Sequence, residues 1–158
     1  MISNQAEQVV ARLRARSATV ASAESLTAGL LCARLVDVTG ASDVVRGAVV
    51  AYATDLKSTL LGVQPATLAR DGAVSESTAR AMATGVRERL GATYGISTTG
   101  VAGPGSDPAR PAGTVHVAVA GPRRVAHRLL HLDGDRAVVR ETSVSGALEL
   151  LLDVLEEG

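Results

Sequence analysis

Ala21-Ser22-Ala23-Glu24-Ser25-Leu26-Thr27-Ala28-Gly29 is the stretch that decides how this chain folds. The apolar run over 19–23 reads as a short buried strand, and a helical spacing then begins through Leu30, Leu31, Ala33 and Leu35. Strand and helix are joined by small residues and hydroxyls, a junction of the α/β kind. At such a junction backbone N–H groups are free to face an anion or an oxyanion, helped by the helix dipole. Ser25 therefore stands where a nucleophile or a phosphate-binding hydroxyl works. It also stands where Ser25 or Thr27 would simply cap the helix. The segment by itself leaves both readings open.

Working outward, Ala6, Val9, Val10 and Leu13 repeat at helical spacing and predict a helix over 4–16. The helix after the junction is expected over 26–38, with Gly40 as its stop. A Val-rich strand over 44–53 follows, then a short helical turn over 56–61 closed by Gly62. Pro65 opens another short helix over 65–70. The clearest helix spans 75–90, with Ser75 as cap, Glu76 in its first turn and Arg87 and Arg89 in its last. Strands are expected over 93–98, 113–120 and 125–132, the last two around the turn at Gly121-Pro122, before a closing helix over 135–155. There are no repeats and no linker, so 1–158 reads as one domain. Strands interleaved with helices predict a three-layer α/β/α sandwich. Its sheet is mixed and mostly parallel, because the turn between the last two strands is too short for a parallel crossover.

Composition narrows the function. The chain has no Phe, no Trp and two Tyr, so Ala, Val and Leu must build the core. Its 16 glycines suit the close contacts between helices and sheet that such a core needs. Sixteen basic and sixteen acidic residues cancel, which gives no basic footprint for nucleic acid and no acidic tail. Aromatic platforms for single strands are missing as well. The one cysteine, Cys32, falls on an apolar helical face and reads as a reduced core residue. No signal peptide and no apolar run of membrane-spanning length is visible, so a cytoplasmic protein without a membrane partner is expected.

Two further features stand out. The stretch 100–113, GVAGPGSDPARPAG, obeys neither period and follows a strand, where open α/β sheets bind ligands. Lys57 is the only lysine in the chain. Arginine stays protonated, whereas a lysine taken out of water can lose its proton and act as a base. Lys57 follows Val49-Val50-Ala51-Tyr52 at another strand end, with a phenol five residues earlier, so a serine–lysine arrangement is chemically sound. An exposed lysine on a short helix is the plainer alternative. Histidine is a poor base here, since His116, His127 and His131 all fall inside expected strands. No cluster suits a metal, and no cofactor is implied.

These features line up with a known pattern. AESLTAG at 23–29 resembles the AESCTGG motif of the CinA C-terminal domain family, the nicotinamide-nucleotide amidases also called PncC. The likeness continues in Val49-Val50-Ala51-Tyr52 with Lys57 (family form Y-S-N-x-x-K), in Leu61-Gly62-Val63 and in Gly72-Ala73-Val74-Ser75-Glu76. It runs on through Thr99-Gly100-Val101-Ala102-Gly103-Pro104-Gly105 and Pro111-Ala112-Gly113-Thr114-Val115 to Gly134-Asp135-Arg136 with Arg140. Almost the whole chain is covered, in order.

The resemblance implies hydrolysis of the carboxamide of nicotinamide mononucleotide to nicotinate mononucleotide and ammonia. Ser25 would be the nucleophile, Lys57 its base, and Tyr52 a support for that network or a proton shuttle. Glu24, Thr27, Gly29, Thr99, Gly100, Ala102 and Gly103 would surround the substrate. Arg136 or Arg140 would pair with its 5′-phosphate, against the rival explanation of Asp135 as a helix cap and arginines in solvent. A homodimer or larger assembly and the stand-alone form of the domain are expected. Departures from the motif are Leu26 for Cys, Ala28 for the first Gly of the pair and Thr54 for Asn. Ala28 adds a methyl where the backbone is expected to approach the substrate. A non-catalytic nucleotide-binding or regulatory module is the alternative function. A Walker-type phosphate loop is not, since Gly100–Gly105 lacks the Lys-Ser/Thr pair.

Overall fold

Every expected helix and strand is present, with the helix expected over 26–38 and the strand expected over 44–53 shorter than the two periods suggest. The computed structural model describes residues 1–105 and 109–158, so positions 106–108 of the glycine- and proline-rich stretch lie outside the described residues. In chain order the elements are α1 (Ile2–Ala15), β1 (Val20–Glu24), α2 (Leu30–Val36), β2 (Val45–Val50), α3 (Thr54–Leu61), α4 (Pro65–Asp71), α5 (Glu76–Arg89), β3 (Tyr94–Gly100), β4 (Thr114–Ala120), β5 (Val125–His131) and α6 (Arg136–Glu157). The strands form one sheet in the order β2-β1-β3-β4-β5. β1 pairs in parallel with β2 and β3, while β4 is antiparallel to both β3 and β5. Four of the five strands therefore point the same way, and the sheet is mixed and mostly parallel in direction. Helices on both faces complete the three-layer α/β/α sandwich. Among the described residues no helix is long and apolar enough to cross a membrane.

Each face of the sheet has its own core. Val20, Ile96, Val115, Val117 and Val119 point to the side covered by α1, α2 and α6 and meet Leu13, Leu31, Leu148 and Leu151. On the other side Ala21 and Ala23 meet Leu61, Met82 and Val86 of α3 and α5. Burying a Val or Leu is worth about 1.5–3 kcal/mol, but an alanine offers far less area. An alanine-rich face is stable only where backbones come close, and two glycines allow this. A Cβ built on Gly85 would lie 1.9 Å from the Leu61 carbonyl oxygen, and one on Gly95 would lie 2.0 Å from that of Ala83. Gly85 thus lets α3 lie directly on α5, and Gly95 lets α5 lie directly on β3.

The ends of the elements explain themselves in most places. Ser75 caps α5 by accepting the Thr78 amide at 3.2 Å, and Asp135 caps α6 by accepting that of Val138 at 3.0 Å. Gly62 ends α3 in the left-handed region, φ +73°. One boundary departs from expectation. α2 starts at Leu30, not at residue 26, and neither Ser25 nor Thr27 caps it. Ala28 and Gly29 both have positive φ, +48° and +95°, which holds 25–29 as a turn. The cap comes from the preceding strand. The Glu24 carboxylate reaches over the turn and accepts the amides of Gly29, Leu31 and Cys32 at 2.9–3.1 Å. Cys32 is also less buried than expected. It is half-buried and borders a surface hollow with Val36, and burial beside Glu24 raises its thiol pKa.

Candidate active site

Three strand ends meet at one rim. Glu24 is in register with Val50 of β2 and with Thr98 of β3, so the chain leaves β1 between the two segments that follow those strands. Side chains alternate along β1, which separates the roles of its last residue and the next. Glu24 turns to the α2 side, while Ser25 follows Ala21 and Ala23 onto the α3/α5 side. Its amide still pairs with the Thr98 carbonyl at 3.0 Å, so the sheet holds Ser25 in place.

Lys57 meets Ser25 there. It sits on α3 and is 1% exposed, which rules out the solvated lysine. Its Nζ lies 2.9 Å from Ser25 Oγ, 2.7 Å from the Ala51 carbonyl and 3.2 Å from the Tyr52 carbonyl. Among the described residues no carboxylate pairs with it. Burial penalises the charged ammonium and lowers the Lys57 pKa to about 8. The three acceptors suit both protonation states. An ammonium gives one N–H to each, whereas the neutral amine gives two N–H to the carbonyls and turns its lone pair on the Ser25 hydroxyl. Ser25 is 7% exposed, at the floor of the rim.

Beside this pair lies an open cleft of about 440 Å³, within the range of small-ligand sites. Its walls are Leu26, Tyr52, Arg136 and the loop from Gly100 to Gly105, including the expected Ala102 and Gly103. Arg136 spans the mouth, donating to the Gly103 carbonyl at 2.9 Å and to the Tyr52 hydroxyl at 3.1 Å. The Tyr52 carbonyl accepts from Lys57, while the residue is 59% exposed and its hydroxyl meets Arg136 across the cleft.

Five other expected site residues do not line the cleft. Glu24 is fully buried, with its carboxylate taken up by the three amides and by the hydroxyls of Ser22 and Thr27 at 2.9 and 2.7 Å. Thr27 is buried between Glu24 and the Thr98 hydroxyl, 2.8 Å away. Gly29 gives its amide to Glu24. The Thr99 hydroxyl turns to the Ala73 carbonyl at 2.7 Å. Arg140, one of the two arginines expected as alternatives for the phosphate, donates to the carbonyls of Leu26 and Thr27 at 2.8 and 3.2 Å. Ala28 is exposed and outside the cleft wall, so its methyl does not crowd the site.

The histidines stay apart from this site. His116 Nδ1 and His127 Nε2 are 2.9 Å apart with stacked rings, and His127 Nδ1 meets Glu76 at 2.9 Å. Burial, with the charge of His127 adding to it, lowers the His116 pKa to about 4. Among the described residues no group of three or more His, Cys, Asp or Glu is placed to hold a metal. Sequence reasoning missed Leu26 as a wall and the Ala51 carbonyl as a lysine acceptor. A backbone carbonyl leaves no signature in the sequence, and Leu26 was noticed only as a departure from the motif.

An α/β/α domain with a buried serine–lysine pair at the carboxyl end of β1, an inner strand of its sheet, is the class that fold and site define. A family model described as the CinA C-terminal domain matches residues 2–155, and the chain belongs to that family. It is 52% identical over 147 residues to a CinA-like protein of Frankia casuarinae, covering 93% of this chain and 34% of that one. It is 44% identical over 151 residues to a putative competence-damage inducible protein of Desulforamulus reducens, covering 95% and 37%. The chain thus spans about a third of the length of these curated relatives. Among solved structures, a CinA superfamily protein from Klebsiella pneumoniae superposes with TM-score 0.96 at 30% identity, covering 100% of this chain and 99% of that one. The competence/damage inducible protein CihA from Agrobacterium tumefaciens gives TM-score 0.93 at 35% identity, covering 98% and 95%.

Proposed function

We propose that this domain is an amide hydrolase acting on nicotinamide mononucleotide, giving nicotinate mononucleotide and ammonia. The observation that carries the proposal is the 2.9 Å contact between Lys57 Nζ and Ser25 Oγ, in a place where burial brings the amine toward neutrality. A simple helix cap has no use for such an amine.

The reaction follows from that contact. Neutral Lys57 takes the Ser25 proton as Oγ bonds to the carboxamide carbon, and the carbonyl π electrons move to oxygen. The resulting ammonium protonates the departing nitrogen, the C–N bond breaks and ammonia leaves an acyl-serine. Water then attacks the ester and gives its proton to Lys57. Collapse of the second intermediate returns the proton to Ser25 and releases the carboxylic acid, whose remaining proton passes to bulk water to leave the carboxylate. Lys57 ends each cycle neutral, so no other base is needed.

The cleft supports the choice of substrate. Arg136 is the guanidinium at its mouth, and the Gly100–Gly105 loop offers backbone at close range, a combination suited to an anionic phosphate. The test is ammonia release from nicotinamide mononucleotide by the wild-type chain and by Ser25→Ala. Release by the wild type alone supports the proposal. Binding of the nucleotide without release by either chain supports the non-catalytic module instead.

A further inference from the structure

The tetrahedral intermediate needs donors for its oxyanion, and the turn after Ser25 can be searched for them amide by amide. Ser25 N–H is held by Thr98 and Ala28 N–H by the Ser25 carbonyl at 3.2 Å. Leu30 N–H goes to the Thr27 carbonyl at 2.9 Å, while the amides of Gly29, Leu31 and Cys32 go to Glu24. The first turn of α2 is thus consumed. Among the described residues the amides of Leu26 and Thr27 alone in this segment have no hydrogen-bond partner. Both residues are buried, at 3% and 0% exposure. Unpaired backbone donors in a buried turn are rare and call for a cause.

Peptide planarity gives their direction. In a trans peptide the N–H points opposite to the C=O of the same plane. The Leu26 carbonyl points to Arg140 on α6, so the Thr27 N–H points away from the α6 side, toward the side of Ser25 and Lys57. The Ser25 carbonyl points inward to Ala28, so the Leu26 N–H points out of the turn, and Leu26 lines the cleft.

We infer that the Leu26 and Thr27 backbone N–H groups form the oxyanion hole for acyl transfer to Ser25, and that Arg140 is a positioning residue that orients the 26–27 peptide. This rests on the proposed amide hydrolysis for its substrate, but not for the acylation of Ser25 itself. The Thr27 side chain, fixed to Glu24 and Thr98, and the two carbonyl bonds from Arg140 hold the donors still before the charge develops.

The test replaces the Leu26 amide by an ester, through incorporation of leucic acid at position 26 in the full chain. Two reactions are followed, ammonia release from nicotinamide mononucleotide and the p-nitrophenolate burst from p-nitrophenyl acetate. The ester variant is expected to acylate about a hundredfold more slowly in both, with KM within about twofold. Acylation within about threefold of wild type overturns the inference. Arg140→Gln gives a second reading should the ester chain fail to fold. It is expected to lower kcat about tenfold on nicotinamide mononucleotide and on its dephosphorylated nucleoside alike, at similar KM. A KM rise confined to the phosphorylated substrate would make Arg140 a phosphate ligand and overturn its positioning role. A wild-type burst without ammonia release, slowed in the ester variant, rejects the substrate and keeps the oxyanion hole. No wild-type acylation by either compound overturns both.

Discussion

Lys57 and Glu24 are both fully buried ionisable side chains at one rim, and their surroundings send them to opposite tasks. Glu24 receives five donors and becomes part of the framework. Lys57 faces only neutral oxygens, so nothing holds its charge against the cost of burial. As the proposed base, Lys57 must be neutral to act. The account therefore predicts kcat/KM that rises about tenfold per pH unit up to about 8 and is flat above. A profile turning near pH 6 would point to a histidine and contradict it. Arginine cannot deprotonate in this place, so Lys57→Arg should lower kcat about 10²–10⁴-fold in the ammonia assay. The solitude of Lys57 made it visible in the sequence. The direction of the Tyr52 phenol was not visible, because it depends on Arg136, which is far along the chain.

At the scale of elements, the site depends on how closely α3 lies on α5. Gly85 sets that distance, since any Cβ there meets the Leu61 carbonyl. Gly85→Ala is expected to destabilise the fold by about 3 kcal/mol, read as a Tm lower by roughly 6–12 °C. Because Lys57 rides on α3, the residual folded protein should also lose kcat at constant KM. An unchanged Tm would show that α3 shifts freely and that its seat does not matter. Elements with local signals were legible in the sequence, as the caps at Ser75 and Asp135 and the stop at Gly62 show. The start of α2 was not legible, because its cap is a strand carboxylate acting across a turn with two positive φ angles. Nothing in a 3.6-residue pattern reports that contact.

The whole molecule carries no net charge, so the proposed recognition of an anionic phosphate would fall to local groups. Arg140 is occupied by the turn after Ser25, which leaves Arg136 at the mouth of the cleft. Arg136→Gln should raise KM for nicotinamide mononucleotide about tenfold and leave KM for its nucleoside unchanged. Equal effects on both would remove the phosphate from its role. The gathering of Ser25, Lys57 and the Gly100 loop at one rim was foreseeable in outline, because each follows an expected strand. Which expected residues face the cleft was not, since Thr99 and Thr27 turn inward through bonds to distant carbonyl and hydroxyl groups. The central claim, that burial makes the single lysine a base, has a direct measurement. With one lysine in the chain, selective ¹³C-lysine labelling gives a single Cε resonance to follow against pH. A midpoint of about 8 is predicted, and a midpoint near 10.4, that of lysine in water, would contradict the account.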